Sequence, residues 1–139
     1  MPMIDVYAPA GTFPTGVQRQ LAEELARALL RAEGAPLQSP YLENTGVYLH
    51  LLEPATVHTA ASPTPETVRV QVLTPPGVLD AAGRAQLIAS MTDLIGEHAA
   101  TSNQQARTWV LLTEGVEGGW GIAGLDYRSA HRPGAQPVT

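Results

Sequence analysis

At 139 residues, with 44% apolar and 15% charged side chains, the chain is long enough for one hydrophobic core and too short for two large domains. The lack of cysteine excludes a disulfide framework, a thiolate nucleophile and thiolate metal ligation, and a formal charge of −5 with eight Lys and Arg scattered singly leaves no basic stripe for nucleic acid. Apolar stretches such as Val47–Leu52 fall far short of a membrane span, and no basic region precedes an apolar one at the N-terminus, so a soluble, cytoplasmic protein with neither nucleic-acid nor membrane partners is expected.

In chain order, Met3–Tyr7 is β-leaning and closes on the turn Pro9-Ala10-Gly11. Val17, Leu21, Leu25, Ala28 and Leu29 then recur at helical spacing, and Val47–Glu53 reads as a second strand. Residues 54–66, rich in Pro, Thr, Ser and Ala, form a joint, after which the plan repeats. Arg69–Thr74, closing on Pro75-Pro76-Gly77, lies 66 positions beyond the segment that starts at Met3, and Gln86-Leu87 lies at the same offset from Gln20-Leu21. Leu87, Met91, Leu94 and Ile95 carry the second helical stripe. Thr108–Glu114 matches Val47–Glu53 at an offset of 61, so the first helix–strand loop is longer by five residues.

The fold class is therefore α/β (α+β): two fused β-α-β units over residues 1–128 as one domain, with repeat 1 at 2–53, the joint at 54–66, repeat 2 at 67–128 and a loose tail at 129–139. A helix between two strands of this length implies a parallel, right-handed crossover. Two such units joined edge to edge give a four-stranded mixed sheet with both helices on one face. The other face, with Tyr48, His50, Trp109 and Leu111, is too apolar and aromatic to stand in water, which argues for a closed symmetric oligomer.

Met1-Pro2 followed by strand, helix and strand resembles the 4-oxalocrotonate tautomerase pattern. Thr113-Glu114 and, five residues on, Trp120-Gly121-Ile122-Ala123-Gly124 resemble the end of that family's unit, where an aromatic residue precedes a Gly-Ile-Gly-Gly turn. The doubled length resembles the fused members of the tautomerase superfamily, among them malonate semialdehyde decarboxylase, cis-3-chloroacrylic acid dehalogenase and macrophage migration inhibitory factor. The resemblance implies a homotrimer whose sheets enclose a barrel, acting on a small-molecule substrate with no cofactor.

It also implies the catalyst. Removal of Met1 leaves Pro2 with a secondary amine, and burial in an apolar pocket lowers an α-amino pKa from about 8, making the amine a neutral base for keto–enol tautomerisation of a small enol or 2-oxo acid. Held protonated, it would be a general acid, as in the decarboxylase and dehalogenase branches. A catalytically inactive binding module is the third reading. Trp120 either walls the proline pocket or packs under the glycine turn. The resemblance puts a substrate-binding arginine where Tyr48 and Trp109 fall, and the other arginine positions read Thr12 in the first half and Val78 or Leu79 in the second. Arg107 and Arg69 are the nearest substitutes by sequence, each equally readable as a surface residue. His50 would face the same side as Tyr48, there to bind substrate or to be satisfied within the sheet. Glu43 reads as a surface carboxylate. His58, His98 and His131 share no ligand-like interval, so no metal site is expected. Val68 holds the place of Pro2 in the second half, which predicts one catalytic proline per chain.

Overall fold

The computed structural model describes residues 2–126; Met1, the expected end of the domain at 127–128 and the tail at 129–139 lie outside them. Strand β1 (Met3–Pro9), helix α1 (Thr15–Ala32) and strand β2 (Gly46–Leu52) form the first unit, and β3 (Val68–Thr74), α2 (Ala81–His98) and β4 (Thr108–Glu114) the second. A short hairpin of β5 (Gly121–Ile122) and β6 (Leu125–Asp126) follows. The sheet order is β2-β1-β3-β4, parallel within each unit and antiparallel where β1 meets β3. This is the expected four-stranded mixed sheet. No helix among the described residues is long and apolar enough to cross a membrane.

Strand alternation decides what is buried. Ile4, Val6 and Ala8 on β1 and Val68, Val70 and Val72 on β3 point one way and are fully buried. They meet the stripe Leu21, Leu25, Leu29 of α1 and Leu87, Met91, Ile95 of α2, so one core lies between the sheet and its two helices. Side chains of the opposite parity face the open side, where Tyr48, Trp109 and Leu111 remain 55%, 50% and 44% exposed. Between the helices, the imidazole Nε2 of His98 lies 2.7 Å from Oε2 of Glu24. That bond holds the Glu24 carboxyl below its usual range, with help from the amide of Gln20.

The two units also turn alike. Gly11 after β1 and Gly77 after β3 both have positive φ, 92° and 76°, which a residue with a Cβ adopts only under strain. They differ at the helix exits. Helix α1 closes in a Schellman motif: Gly34 has φ 68°, its N–H bonds the Arg31 carbonyl at 3.0 Å, and the Ala35 N–H bonds the Leu30 carbonyl at 2.9 Å. Helix α2 ends instead on an extended Ala99.

Candidate functional site

Pro2 is buried at the start of β1 and lines a cavity of about 270 Å³. The long loop that the Schellman turn launches, residues 33–45, forms one wall with Glu33, Pro36, Tyr41 and Asn44; Pro75 and Val78, after β3, form the other. No arginine, lysine or histidine lines this cavity among the described residues. The one carboxyl among its described lining is Glu33, the C-cap of α1, whose Oε1 is buried with no hydrogen-bond partner. Burial pushes the Glu33 carboxyl up to about 7, while the positive charge of the chain's N-terminus pulls the other way with less force. The carbonyl end of α1 adds negative potential at the same place, which also favours the neutral acid.

A second cavity, of about 220 Å³, is lined by Trp120 and shares Pro75 and Val78 with the first, so the indole and the proline stand on either side of that pair. Trp120 also closes on Gly115, where a Cβ would meet the ring at 3.7 Å. The turn Trp120-Gly121-Ile122-Ala123-Gly124 is a two-residue hairpin in which Ala123 and Gly124 both have positive φ.

The remaining sequence-predicted residues lie elsewhere on the chain. Tyr48 is on the open sheet face, opposite Asp5. His50 holds Asp5 Oδ1 at 2.7 Å through Nε2 and stacks on Tyr7 with ring centroids 4.3 Å apart. Arg69 sits over the same Tyr7 ring at 4.4 Å and pairs in register with Trp109. Since β1 leads away from Pro2, this aromatic and cationic group lies about 15 Å along the strand from it. Arg107 precedes β4 and donates through Nη2 to the Gln104 side chain at 3.3 Å, leaving its Nε buried without a partner. Glu43 is exposed. Within one chain, Trp120 alone of the expected residues adjoins the cavity of Pro2.

Glu33 is absent from the sequence-based expectations. Its one signal is position: it is the last residue before the glycine that stops the α1 periodicity, but which way that residue faces depends on the path of a loop with no periodicity of its own. A different cluster, Glu24, Glu97 and His98, offers ligand atoms within 4.8 Å of one another, and none of the three lines the Pro2 cavity.

The second unit holds a counterpart cavity of about 370 Å³ lined by Pro9, Thr12, Glu66, Thr101 and Gln104. At the repeat offset of 66, Pro9 and Thr12 correspond to Pro75 and Val78, and Thr101 to Ala35. The places of Pro2 and Glu33 are both changed: Val68, fully buried, stands for Pro2, and Ala99 stands for Glu33, while Glu66 lines this cavity from the joint.

A symmetric trimer of wild-type fused 4-OT superposes on this chain with a TM-score of 0.78, at 21% identity, covering 94% of this chain and 99% of that one. The chain has the fold of the fused 4-OT proteins. Within that fold, Pt0534 inactivated by 2-oxo-3-pentynoate matches at a TM-score of 0.77, 21% identity and the same 94% and 99% coverage. The macrophage migration inhibitory factor of Toxoplasma gondii matches at 0.68 and 13%, covering 86% of this chain and 95% of that one. No protein-family model matches the sequence, nor does any curated protein.

Proposed function

We propose that the chain is a cofactor-free tautomerase of a small enol or 2-oxo acid, in which removal of Met1 frees the Pro2 nitrogen to act as the general base. The observation that carries this reading is the setting of Pro2: buried, at the edge of a cavity whose lining includes Leu30, Ala35, Pro36, Pro40, Pro75 and Val78, with no cationic side chain among its described residues. Such a site disfavours the ammonium form and leaves a neutral amine near pH 7. The base takes a proton from the enol hydroxyl and returns it to the neighbouring carbon. Trp120, across Pro75 and Val78, helps to keep water out.

The same reading takes the open sheet face as an interface between three copies of the chain. Tyr48, Trp109 and Leu111 supply the apolar surface, and the fused 4-OT structures similar to this chain are trimers. His50, Trp109, Tyr48 and Arg107 would then contribute to a site from a neighbouring copy. Sedimentation analysis tests this: a monomer at micromolar concentration rules it out.

A second reading follows from Glu33. If its carboxyl is ionised, it holds Pro2 as an ammonium ion, the form needed for general-acid chemistry in a decarboxylase or hydratase. Three measurements test the main reading. Intact mass reports the loss of one methionine. Ketonisation of phenylenolpyruvate is compared between wild type and Pro2→Ala, and equal rates remove Pro2 from the mechanism. Finally, 2-oxo-3-pentynoate, an electrophile toward amines, is expected to label the Pro2 peptide, and labelling elsewhere alone counts against the assignment.

A further inference from the structure

Developing negative charge on an enolate oxygen needs a donor in a dry site, and the cavity around Pro2 presents no guanidinium, ammonium or imidazole among its described lining. What it presents is Glu33. We propose that the carboxylic acid of Glu33 is the second catalytic group of this site, donating a hydrogen bond to the substrate's carbonyl or enolate oxygen while Pro2 moves the proton. This rests on the Pro2 reading above.

Three observations support it. Glu33 lines the same cavity as Pro2, and its Oε1 is buried with no partner, so a donor or acceptor position is unfilled there. The backbone that carries Glu33 is fixed by the Schellman turn at Gly34, which sets the helix exit at the edge of the cavity. At the counterpart cavity Val68 and Ala99 stand in the places of both groups, and the carboxyl among its described lining, Glu66, comes from the joint between the units and not from a helix end. A carboxyl that merely capped a helix would have no reason to vanish with the proline.

The acid form is also the one the surroundings favour. In the chain that carries Met1, burial pushes the Glu33 carboxyl up to about 7 against the weaker pull of the Met1 α-amino charge, and the α1 carbonyl end also opposes ionisation. Of the elements around it, the residue before β1 contributes Pro2, the loop at 33–45 contributes the Tyr41 phenol, and the segment after β3 contributes only Pro75 and Val78. In ketonisation, the neutral Pro2 nitrogen takes the enol hydroxyl proton and becomes an ammonium ion. The oxygen's charge is held by the Glu33 O–H as the C=O bond forms, and the former C=C electron pair takes the proton from the ammonium at the adjacent carbon. Proton and electrons balance without a co-reactant. The substrate class follows: a carbonyl compound with an apolar substituent and at most one carboxylate, since a second carboxylate would meet Glu33 with no cation among the described lining to offset it.

The test compares phenylenolpyruvate ketonisation by wild type, Glu33→Ala, Glu33→Gln and Pro2→Ala, with direct NMR titration of the glutamate carboxyls. Glu33→Ala is expected to slow turnover about 100-fold. Glu33→Gln keeps an N–H donor, so it is expected within about tenfold of wild type, without the fall in rate that ionisation of Glu33 imposes as pH rises through neutrality. The carboxyl signal lost in Glu33→Gln should be one that titrates near neutral pH. Glu33→Ala within twofold of wild type overturns the proposal, as does Glu33→Gln as slow as Glu33→Ala, which would mark a working carboxylate. Titration of Glu33 in the ordinary carboxylate range overturns it even if phenylenolpyruvate is not turned over. Full activity in Pro2→Ala removes the Pro2 reading itself, whereas an inactive Pro2→Ala beside a fully active Glu33→Ala removes Glu33 alone.

Discussion

Leu21, Leu25 and Leu29 of α1 stand at the repeat offset of 66 from Leu87, Met91 and Ile95 of α2, and all six are buried against the same sheet. Pro2 and Glu33 stand at that offset from Val68 and Ala99, where the side chains share no chemistry. The comparison separates two kinds of constraint. Positions that fill the core are held to a similar size and polarity in both units, because the sheet and helices leave the same space twice. Positions at the mouth of each β-α-β unit, even where they are buried as Val68 is, are not held to a matching residue and can diverge in chemistry between the two units.

The largest expected effect breaks the pair Pro2/Val68. Pro2→Ala should lower kcat for enol ketonisation by about 10²–10⁴-fold, the scale of a lost general base, with little change in thermal stability. Val68→Ala should do the reverse: a buried methyl pair is lost, stability falls by about 1–3 kcal/mol, and kcat is kept. Steady-state kinetics and urea unfolding on the same two variants check this. A kcat loss in Val68→Ala matching that in Pro2→Ala would show that the second unit is no spectator.

Next in size are the shared core positions. Leu21→Ala and Leu87→Ala each remove a buried leucine at equivalent turns, and each should cost about 2–5 kcal/mol of unfolding free energy. The two costs should agree to within about 1 kcal/mol if the units enclose equivalent space. A much smaller cost for one would locate the looser half.

Two carboxyls then sharpen the comparison through pH. Glu24 ties α1 to α2 and is held below its usual range by His98 first and Gln20 second. It contributes stability that is present above about pH 4.5 and is lost as pH falls through its lower native value. Glu33 acts with the opposite sign. Its native value of about 7 lies above the ordinary 4.5, so the fold favours the acid form, and stability is full below about pH 4.5 and declines as pH rises through 7. Glu33→Gln should therefore raise the melting temperature at pH 8 and leave it nearly unchanged at pH 4. Glu24→Gln should lower it at pH 7, by less, since the pair is partly exposed. A Glu33→Gln variant less stable than wild type at pH 8 would mean that the ionised carboxylate is welcome in the native state.

How much of this was legible in the sequence depends on the range of the interaction. The strands, the two helical stripes and the doubled plan are local periodicities, so Leu21 and Leu87 announce their faces without reference to anything distant. The open-face position of Tyr48, His50 and Trp109 follows from alternation alone. Glu33 is different, since its neighbour Pro2 is thirty-one residues away in the chain and the loop that turns it inward is fixed by a glycine cap, a cue to where a helix ends and not to what its last residue faces. Arg107 illustrates the converse: proximity in sequence to β4 made it a candidate, yet β4 begins at the end of the sheet remote from Pro2, and its side chain is taken up by Gln104.

The smallest expected effect lies in the hairpin beyond β4. Ala123 has φ 51° at the first turn position, beside Gly124 at 82°, and a two-residue turn of this kind requires positive φ at both. The tautomerase pattern that this segment resembles has glycine at that first position; here an alanine carries a Cβ against its own carbonyl, at a cost of about 1–2 kcal/mol. Glycine would relieve that strain but add freedom to the unfolded chain worth about 0.4–1 kcal/mol, so Ala123→Gly should stabilise the protein by about 0.5–1 kcal/mol. Because the hairpin carries Trp120 toward Pro75 and Val78, the same substitution probes whether the indole's position is set by the turn or by the cavity. Unchanged kcat with higher stability assigns it to the cavity wall, while a drop in kcat would show that the strained alanine holds the indole in place over the site.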